Sequence, residues 1–300
     1  MTGRRYLTLL LLLLSYAPLL LADSQLRQKN WVEDMQQRSS SEDQITLNAS
    51  SGDKEEKFFA LFRPEELGRP SGAVIMLHDI EGHPDWPESF HQLRTELPRY
   101  GWSTLALTLP PLDRSPGSKI NYQPLLESGT IRLEAAKAYL LEKKIYNVVI
   151  LGHGLGATVA TYYLQNHFDD LFHGVIVLGM DGNFSAEGFD AASALTAIRI
   201  PIFDLYGSDD LFSVMSSSKR RRTMAVKTDG NTRTHTQSSD YAFDYSDDIA
   251  KKITYRQFMF PATDHNFSQM EQPLLQRVVG WLRRYAPGSE IRVDENTLTR

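Results

Sequence analysis

The sequence predicts an α/β fold, a doubly wound and mostly parallel sheet with helices on both faces. Three observations carry that prediction. Five short apolar runs, "GAVIMLH" (72–78), "STLALTL" (103–109), "NVVILG" (147–152), "GVIVLG" (174–179) and "IPIFDLYG" (200–207), have the nearly unbroken hydrophobicity of strands covered on both faces. Helix-forming stretches separate them, and strands alternating with helices build parallel sheets. The chain, with 300 residues and 41% hydrophobic content, can bury one sizeable core.

The first 22 residues, "MTGRRYLTLLLLLLSYAPLLLA", carry two arginines and an apolar run from Tyr6 to Leu21, and end on Ala22. This is the layout of a secretory signal peptide, and the run is shorter than the roughly 20 residues a spanning helix needs. A periplasmic or secreted address follows. Leu20 makes the cleavage site imperfect, so a retained N-terminal anchor, the one route to a membrane, stays open as the alternative. Residues 23–43, rich in Gln, Ser and charge, read as a polar linker or a loosely attached helix.

The folded domain is expected over residues 44–286. "QITLN" (44–48) and "KFFALFRP" (57–64) read as a strand pair around a polar turn. Helices are expected in "PESFHQLRTELPRYG" (87–101), which ends on a glycine, in "IRLEAAKAYLLEKK" (131–144) and in "GATVATYYLQNHF" (156–168). "RQFMFP" (256–261) supplies a last strand, and "PLLQRVVGWLRRY" (273–285) a closing amphipathic helix. The stretch 228–248 reads as a polar insertion, either disordered or a lid or partner-binding loop, and 287–300 as a tail. A net charge of -5 gives no footprint for nucleic acid, and the absence of cysteine excludes disulfides, thiol catalysis and cysteine metal sites.

Open parallel sheets gather their chemistry beyond the C-terminal strand ends. After "VIML" comes "HDIEGHPDW"; after "NVVIL" comes "GHGLG"; after "PIFDLY" comes "GSDDLF"; and after "RQFMF" comes "PATDH". This order is that of an oxyanion loop, a nucleophile elbow, an acid and a histidine, and it resembles the α/β-hydrolase superfamily. His265 stands where a general base would lie, and Asp210 where a carboxylate would orient it. Asp209 could exchange roles with Asp210, and N-capping of the helix after it is a competing role for Asp210. Asp79, Ile80 and Leu155 mark the oxyanion loop and its partner at the elbow.

The stretches "LHDIEGHPDWP", "GWSTLALTLPP", "LGHGLGA", "YGSDDLF" and "RQFMFPATDHNF…VVGWLRRY" also resemble a narrower group, an uncharacterised family of exported bacterial proteins within that superfamily. The resemblance runs from about Phe58 to Tyr285. It implies the fold, export and a glycine at the nucleophile position, and brings no substrate.

Two departures bear on chemistry. Gly154 stands third in the Gly-x-Ser-x-Gly pattern, and a glycine offers no attacking side chain. No other such pattern occurs; Ser213 or Ser268 would have to reach the site from a helix start. Where the superfamily commonly has His-Gly, this chain has His78-Asp79 with Glu81 close behind, and a carboxylate facing a developing oxyanion opposes its stabilisation. Structural readings stand beside these: Gly154 as relief of elbow strain, His153 as a packed histidine, Asp85 as a helix N-cap and "KRRR" (219–222) as a solvated face. His78, His83, His153 and His265 with Asp79 and Asp210 contain enough ligands for zinc, but no spacing matches a metal motif, and no cofactor is expected.

The expectation is therefore an exported hydrolase-fold protein whose serine nucleophile is absent, non-classical or catalytically silent, holding a small-molecule ligand or an envelope protein. Hydrolysis of an ester or amide by water that His265 and Asp210 activate is the alternative, and an envelope scaffold a third.

Overall fold

A computed structural model describes Leu26 and residues 29–51, 54–80, 82–112, 120–167, 169–229 and 255–287. Ten strands and seven α-helices are described. The strands are β1 (Gln44–Ser51), β2 (Lys54–Arg63), β3 (Gly72–Leu77), β4 (Trp102–Leu107), β5 (Val148–His153), β6 (Phe172–Leu178), β7 (Ser185–Ala186), β8 (Phe189–Asp190), β9 (Ile202–Gly207) and β10 (Tyr255–Phe260). The helices are α1 (29–38), α2 (Ser89–Glu96), α3 (Gln123–Glu142), α4 (Leu155–Asn166), α5 (Ala191–Ala194), α6 (Phe212–Asp229) and α7 (Glu271–Tyr285).

Eight strands form one sheet in the order β1-β2-β4-β3-β5-β6-β9-β10. The pairs β1/β2 and β2/β4 are antiparallel, and every later pair is parallel. The expected strand pair and all six later strands are present. Their period of two divides each strand between two cores. Ile75, Leu77, Ile150, Val175 and Val177 face one layer with Leu126 and Leu133 of α3 and Val159 and Tyr163 of α4. Met76, Val149, Leu151, Ile176 and Leu205 face the other with Leu93 of α2 and Leu274, Val278 and Trp281 of α7.

Residues 29–38, in the stretch read as a polar linker or a loosely attached helix, form α1: Met35 is 2% exposed and joins the second core, with Trp31 and Val32 packed against it. Three buried or half-buried apolar residues on one face of α1 supply the adhesion that its polar composition hides. The small β7/β8 hairpin was not expected, being too short to give a hydrophobic period. The expected signal peptide (1–22) and Glu81 lie outside the described residues. So do the insertion 228–248, save 228 and 229 in α6, and the tail beyond residue 287.

Register sets where chemistry can occur. Leu77 pairs with Gly152, His153 with Leu178, Leu178 with Leu205, and Phe260 with Gly207. The C-terminal ends of five parallel strands are thus level, and the loops leaving them meet above one edge of the sheet.

Candidate active site

The centre of that edge is the turn from β5 into α4. Gly154 is its hinge, with φ 51° and ψ −112°, a conformation that L side chains rarely adopt. Its N–H donates to the carbonyl of Leu178 (2.9 Å), tying the turn to β6. The flanking glycines provide space: a Cβ on Gly152 would lie 2.5 Å from the Ala157 backbone, and one on Gly156 2.2 Å from the Leu77 carbonyl. Helix α4 can therefore start directly against the sheet.

What stands above Gly154 is a carboxylate. A Cβ built at residue 154 would lie 2.1 Å from Asp79 Oδ1 and 2.2 Å from its Cγ. The Asp79 side chain, arriving from the loop after β3, thus fills the place of a side chain at 154. Oδ1 accepts the Leu155 N–H (2.6 Å), and Oδ2 faces His265 Nε2 (3.1 Å). Of the three oxyanion-loop positions, Leu155 presents its amide to the site but to an internal acceptor. Ile80 packs half-buried against the first core.

His265 follows β10, and its Nδ1 lies 2.6 Å from Asp210 Oδ1. Asp210 is fully buried and also accepts the amides of Leu211 (2.7 Å) and Gly207 (3.3 Å). These bonds select Asp210 over Asp209, which is exposed and accepts from Ser208. Asp210 faces His265 and precedes the first residue of α6, Phe212, by two positions. Gly179, at the end of β6, makes room for the imidazole: a Cβ there would lie 2.7 Å from His265 Cε1. Sequence reasoning missed Gly179, although a glycine closing an apolar strand is a visible signal.

Both ring nitrogens of His265 face carboxylates, which have no proton to give when ionised, so both nitrogens donate and the ring is an imidazolium. Burial opposes that charge, but the hydrogen bonds that the ring donates to Asp210 and Asp79, with their negative charges, raise the His265 pKa to about 9. Burial likewise opposes ionisation of Asp79, and the His265 hydrogen bond together with nearby positive charge and the Leu155 amide holds its pKa down to about 2. The result is an ion triad with alternating charge, Asp79–His265–Asp210.

Two further histidines brace the triad. His78 is buried, and burial pushes its pKa down to about 4. Its Nε2 accepts the Leu109 N–H (2.9 Å), so Nδ1 carries the proton and donates to the Asp79 carbonyl (2.7 Å). His153 donates from Nε2 to the His265 carbonyl (2.8 Å), with the two rings 4.7 Å apart. Burial lowers its pKa. His153 is thus a packed, hydrogen-bonded histidine, as one reading of the sequence expected.

Asp79, His153 and His265 place candidate ligand atoms within 4.8 Å of one another. A metal there would have to displace the proton by which His265 holds Asp79. His78 and His83 do not join the cluster: His83 lies between Trp31 and Trp86. Neither is Asp85 a cap. Helix α2 starts after Glu88 with no side-chain cap, while Asp85 Oδ1 takes Arg94 Nε (2.7 Å) and His91 Nδ1 (2.9 Å). The cause is Arg94, buried beneath α2, which needs carboxylates from Asp85 and Asp43. Ser268 donates to Asp264 (2.7 Å) outside the triad.

Solved structures with this fold include Est1E from Butyrivibrio proteoclasticus (TM-score 0.55, 12% identity, covering 79% of this chain and 97% of that one). The esterase domain of a Rhodothermus marinus protein is similar to the same degree (TM-score 0.54, 12% identity, 81% and 98% covered). So is an Agrobacterium tumefaciens protein of unknown function provisionally grouped with the α/β hydrolases (TM-score 0.53, 16% identity, 80% and 95% covered). No curated protein matches. The model of the family described as "Protein of unknown function (DUF3530)" matches residues 21–124 and 123–239. With an eight-stranded, mostly parallel sheet of α/β-hydrolase type and most of its length matched by that model, the chain belongs to the DUF3530 family.

Proposed function

We propose that this protein is an exported α/β-hydrolase-fold protein without a serine-type nucleophile, catalytically silent, whose former active-site mouth binds a small ligand or an envelope partner. One observation carries the reading: the Asp79 carboxylate fills the space of a side chain at Gly154 and takes both the Leu155 amide and His265 Nε2. In acyl transfer those two donors serve a developing oxyanion and a nucleophile. Here one fixed anion engages both. Losing the nucleophile of a serine hydrolase removes about 10⁶ of rate on its own.

Water activation by His265 is disfavoured by the same geometry. An imidazolium whose two N–H groups are held by carboxylates has no lone pair for a water proton at neutral pH. Export rests on the composition of residues 1–22, with a periplasmic or secreted address.

The reading is tested by incubating the purified protein with a serine-directed fluorophosphonate and with p-nitrophenyl acetate. We expect no labelling and no ester turnover above buffer. Robust turnover that His265→Ala abolishes would overturn it. Cell fractionation with N-terminal sequencing checks export, with Asp23 expected as the mature N-terminus.

A further inference from the structure

We infer that the turn between β5 and α4 is a carboxylate-binding site which the chain occupies in cis with Asp79, and that the site, once vacated, takes a small free monocarboxylate such as acetate. The inference goes beyond the reading above and concerns the same site.

The two oxygens of Asp79 have separate donors, one backbone N–H and one imidazole N–H, at 2.6 and 3.1 Å. Two donors converging on one planar anion match a carboxylate, whose oxygens lie about 2.2 Å apart. A tetrahedral anion such as sulfate is too large for a space the width of one side chain.

The receptor half is built without help from Asp79. The Leu155 amide is set by the first turn of α4, which Gly152 and Gly156 seat against the sheet. His265 is aligned by Asp210 at 2.6 Å, by the His153 bond to its carbonyl and by the space over Gly179. Asp210 is itself anchored by two backbone amides. Truncating Asp79 to glycine therefore vacates the volume of a CH2–COO⁻ group, which is that of acetate, and leaves both donors in place. Because Gly154 has no side chain, nothing from the turn fills the gap.

Charge favours refilling. Asp79, His265 and Asp210 together carry one net negative charge; without Asp79 the imidazolium and Asp210 cancel, and one donor on each of two groups lacks an acceptor. An incoming carboxylate restores the native state of charge. In the unaltered chain Asp79 competes at the effective concentration of a tethered group, so a free acid gains nothing by entering.

The experiment follows the His265 imidazole by NMR and the melting temperature in the full-length Asp79→Gly variant, with sodium formate, acetate and butyrate as probes and chloride and sulfate as controls. In Asp79→Gly the His265 titration midpoint should fall by about one pH unit or more, since one of its two carboxylate partners is gone. Acetate should reverse that fall and raise the melting temperature by about 2–4 °C, while the unaltered protein should show neither response. A folded Asp79→Gly protein whose His265 and melting temperature respond no more to acetate than to chloride overturns the inference. So does an unaltered protein that responds as strongly as the variant.

If Asp79→Gly does not fold, Asp79→Asn keeps the shape and removes the charge. Its His265 midpoint should fall likewise, and an unchanged midpoint overturns the inference. These readouts require no turnover. Acetate binding combined with ester hydrolysis by the unaltered protein would uphold this inference and overturn the silent reading; failure of binding with continued silence would do the reverse.

Discussion

At the scale of a residue, Gly154 and Asp79 explain one another. The backbone at 154 is left-handed, and forcing an L side chain there costs about 1–3 kcal/mol. Here the new Cβ would also lie 2.1 Å from Asp79 Oδ1, so any side chain must first expel the carboxylate from the Leu155 amide and His265. Gly154→Ser alone should therefore lower stability in urea by at least the strain term and yield no ester turnover. The double variant Gly154→Ser/Asp79→Gly should recover part of that loss, because the expelled charge is gone and the introduced hydroxyl then faces His265. Ester turnover by the single variant would show that Asp79 leaves its place readily. Both residues were visible in the sequence as departures from a hydrolase pattern. Their coincidence in space was not, because it joins the ends of β3 and β5, 75 residues apart, and depends on a side-chain direction that no local period encodes. Asp210 and His265 were legible as partners because strand ends in a parallel sheet are predictable meeting places.

At the scale of an element, buried strands were the most legible feature, since an apolar run covered on both faces has few alternatives. Helix α6 was the least. Its "KRRR" run reads as a solvated face, yet Arg221 is fully buried, holding Asp204 of β9 through Nε (2.8 Å) and the carbonyls of Met180 and Val214 through Nη1. Arg220 pairs with Asp190 (2.8 Å), so only part of the run is free for water. The signal was in the strand: Asp204 interrupts "IFDLYG", and a carboxylate in a buried strand requires a cation or several donors. Asp204 also accepts Tyr255 Oη and Gln257 Nε2 of β10, so one buried charge pair joins β9, β10 and α6. That cluster holds the strand leading to His265. Arg221→Met strands the Asp204 charge and should cost about 3–5 kcal/mol in urea unfolding. Arg221→Met/Asp204→Asn should cost less than Arg221→Met alone, the sign of an unpaired buried charge rather than of lost packing. Equal costs would mean that the guanidinium contributes only its volume.

At the scale of the whole molecule, the triad makes stability depend on pH in a definite direction. His265 normally titrates near 6.5, and Asp210 and Asp79 overcome burial to raise it to about 9. Below pH 6.5 the ring is protonated in both folded and unfolded chains, and its stabilisation is complete. Between 6.5 and 9 the unfolded chain releases the proton while the folded one keeps it, so stability falls as pH rises, and above about 9 the contribution is lost. Asp79 acts at the other end. Burial opposes its ionisation, but the His265 hydrogen bond, nearby positive charge and the Leu155 amide together lower its pKa from 3.8 to about 2, so its contribution is present above 3.8 and lost as pH falls towards 2. Asp85, held to about 2 chiefly by His91 and Arg94 against burial, adds to the acid limb. Stability should therefore be greatest near pH 6.5 and decline on both sides, because His78, whose pKa burial pushes down to about 4, and His153, lowered by burial too, also resist protonation as pH falls below 6.5. The alkaline decline amounts to about 3 kcal/mol, counted once for the His265 cluster because its groups titrate together. Urea unfolding at successive pH values between 5 and 10 measures it, and the Asp79→Asn variant separates it from other titrations. The variant should start less stable at pH 6 and lose less by pH 9.5, so that the two curves converge as the imidazolium disappears. Parallel curves would mean that His265 and Asp79 do not share a proton-linked contact, and the ion triad would then be absent in solution.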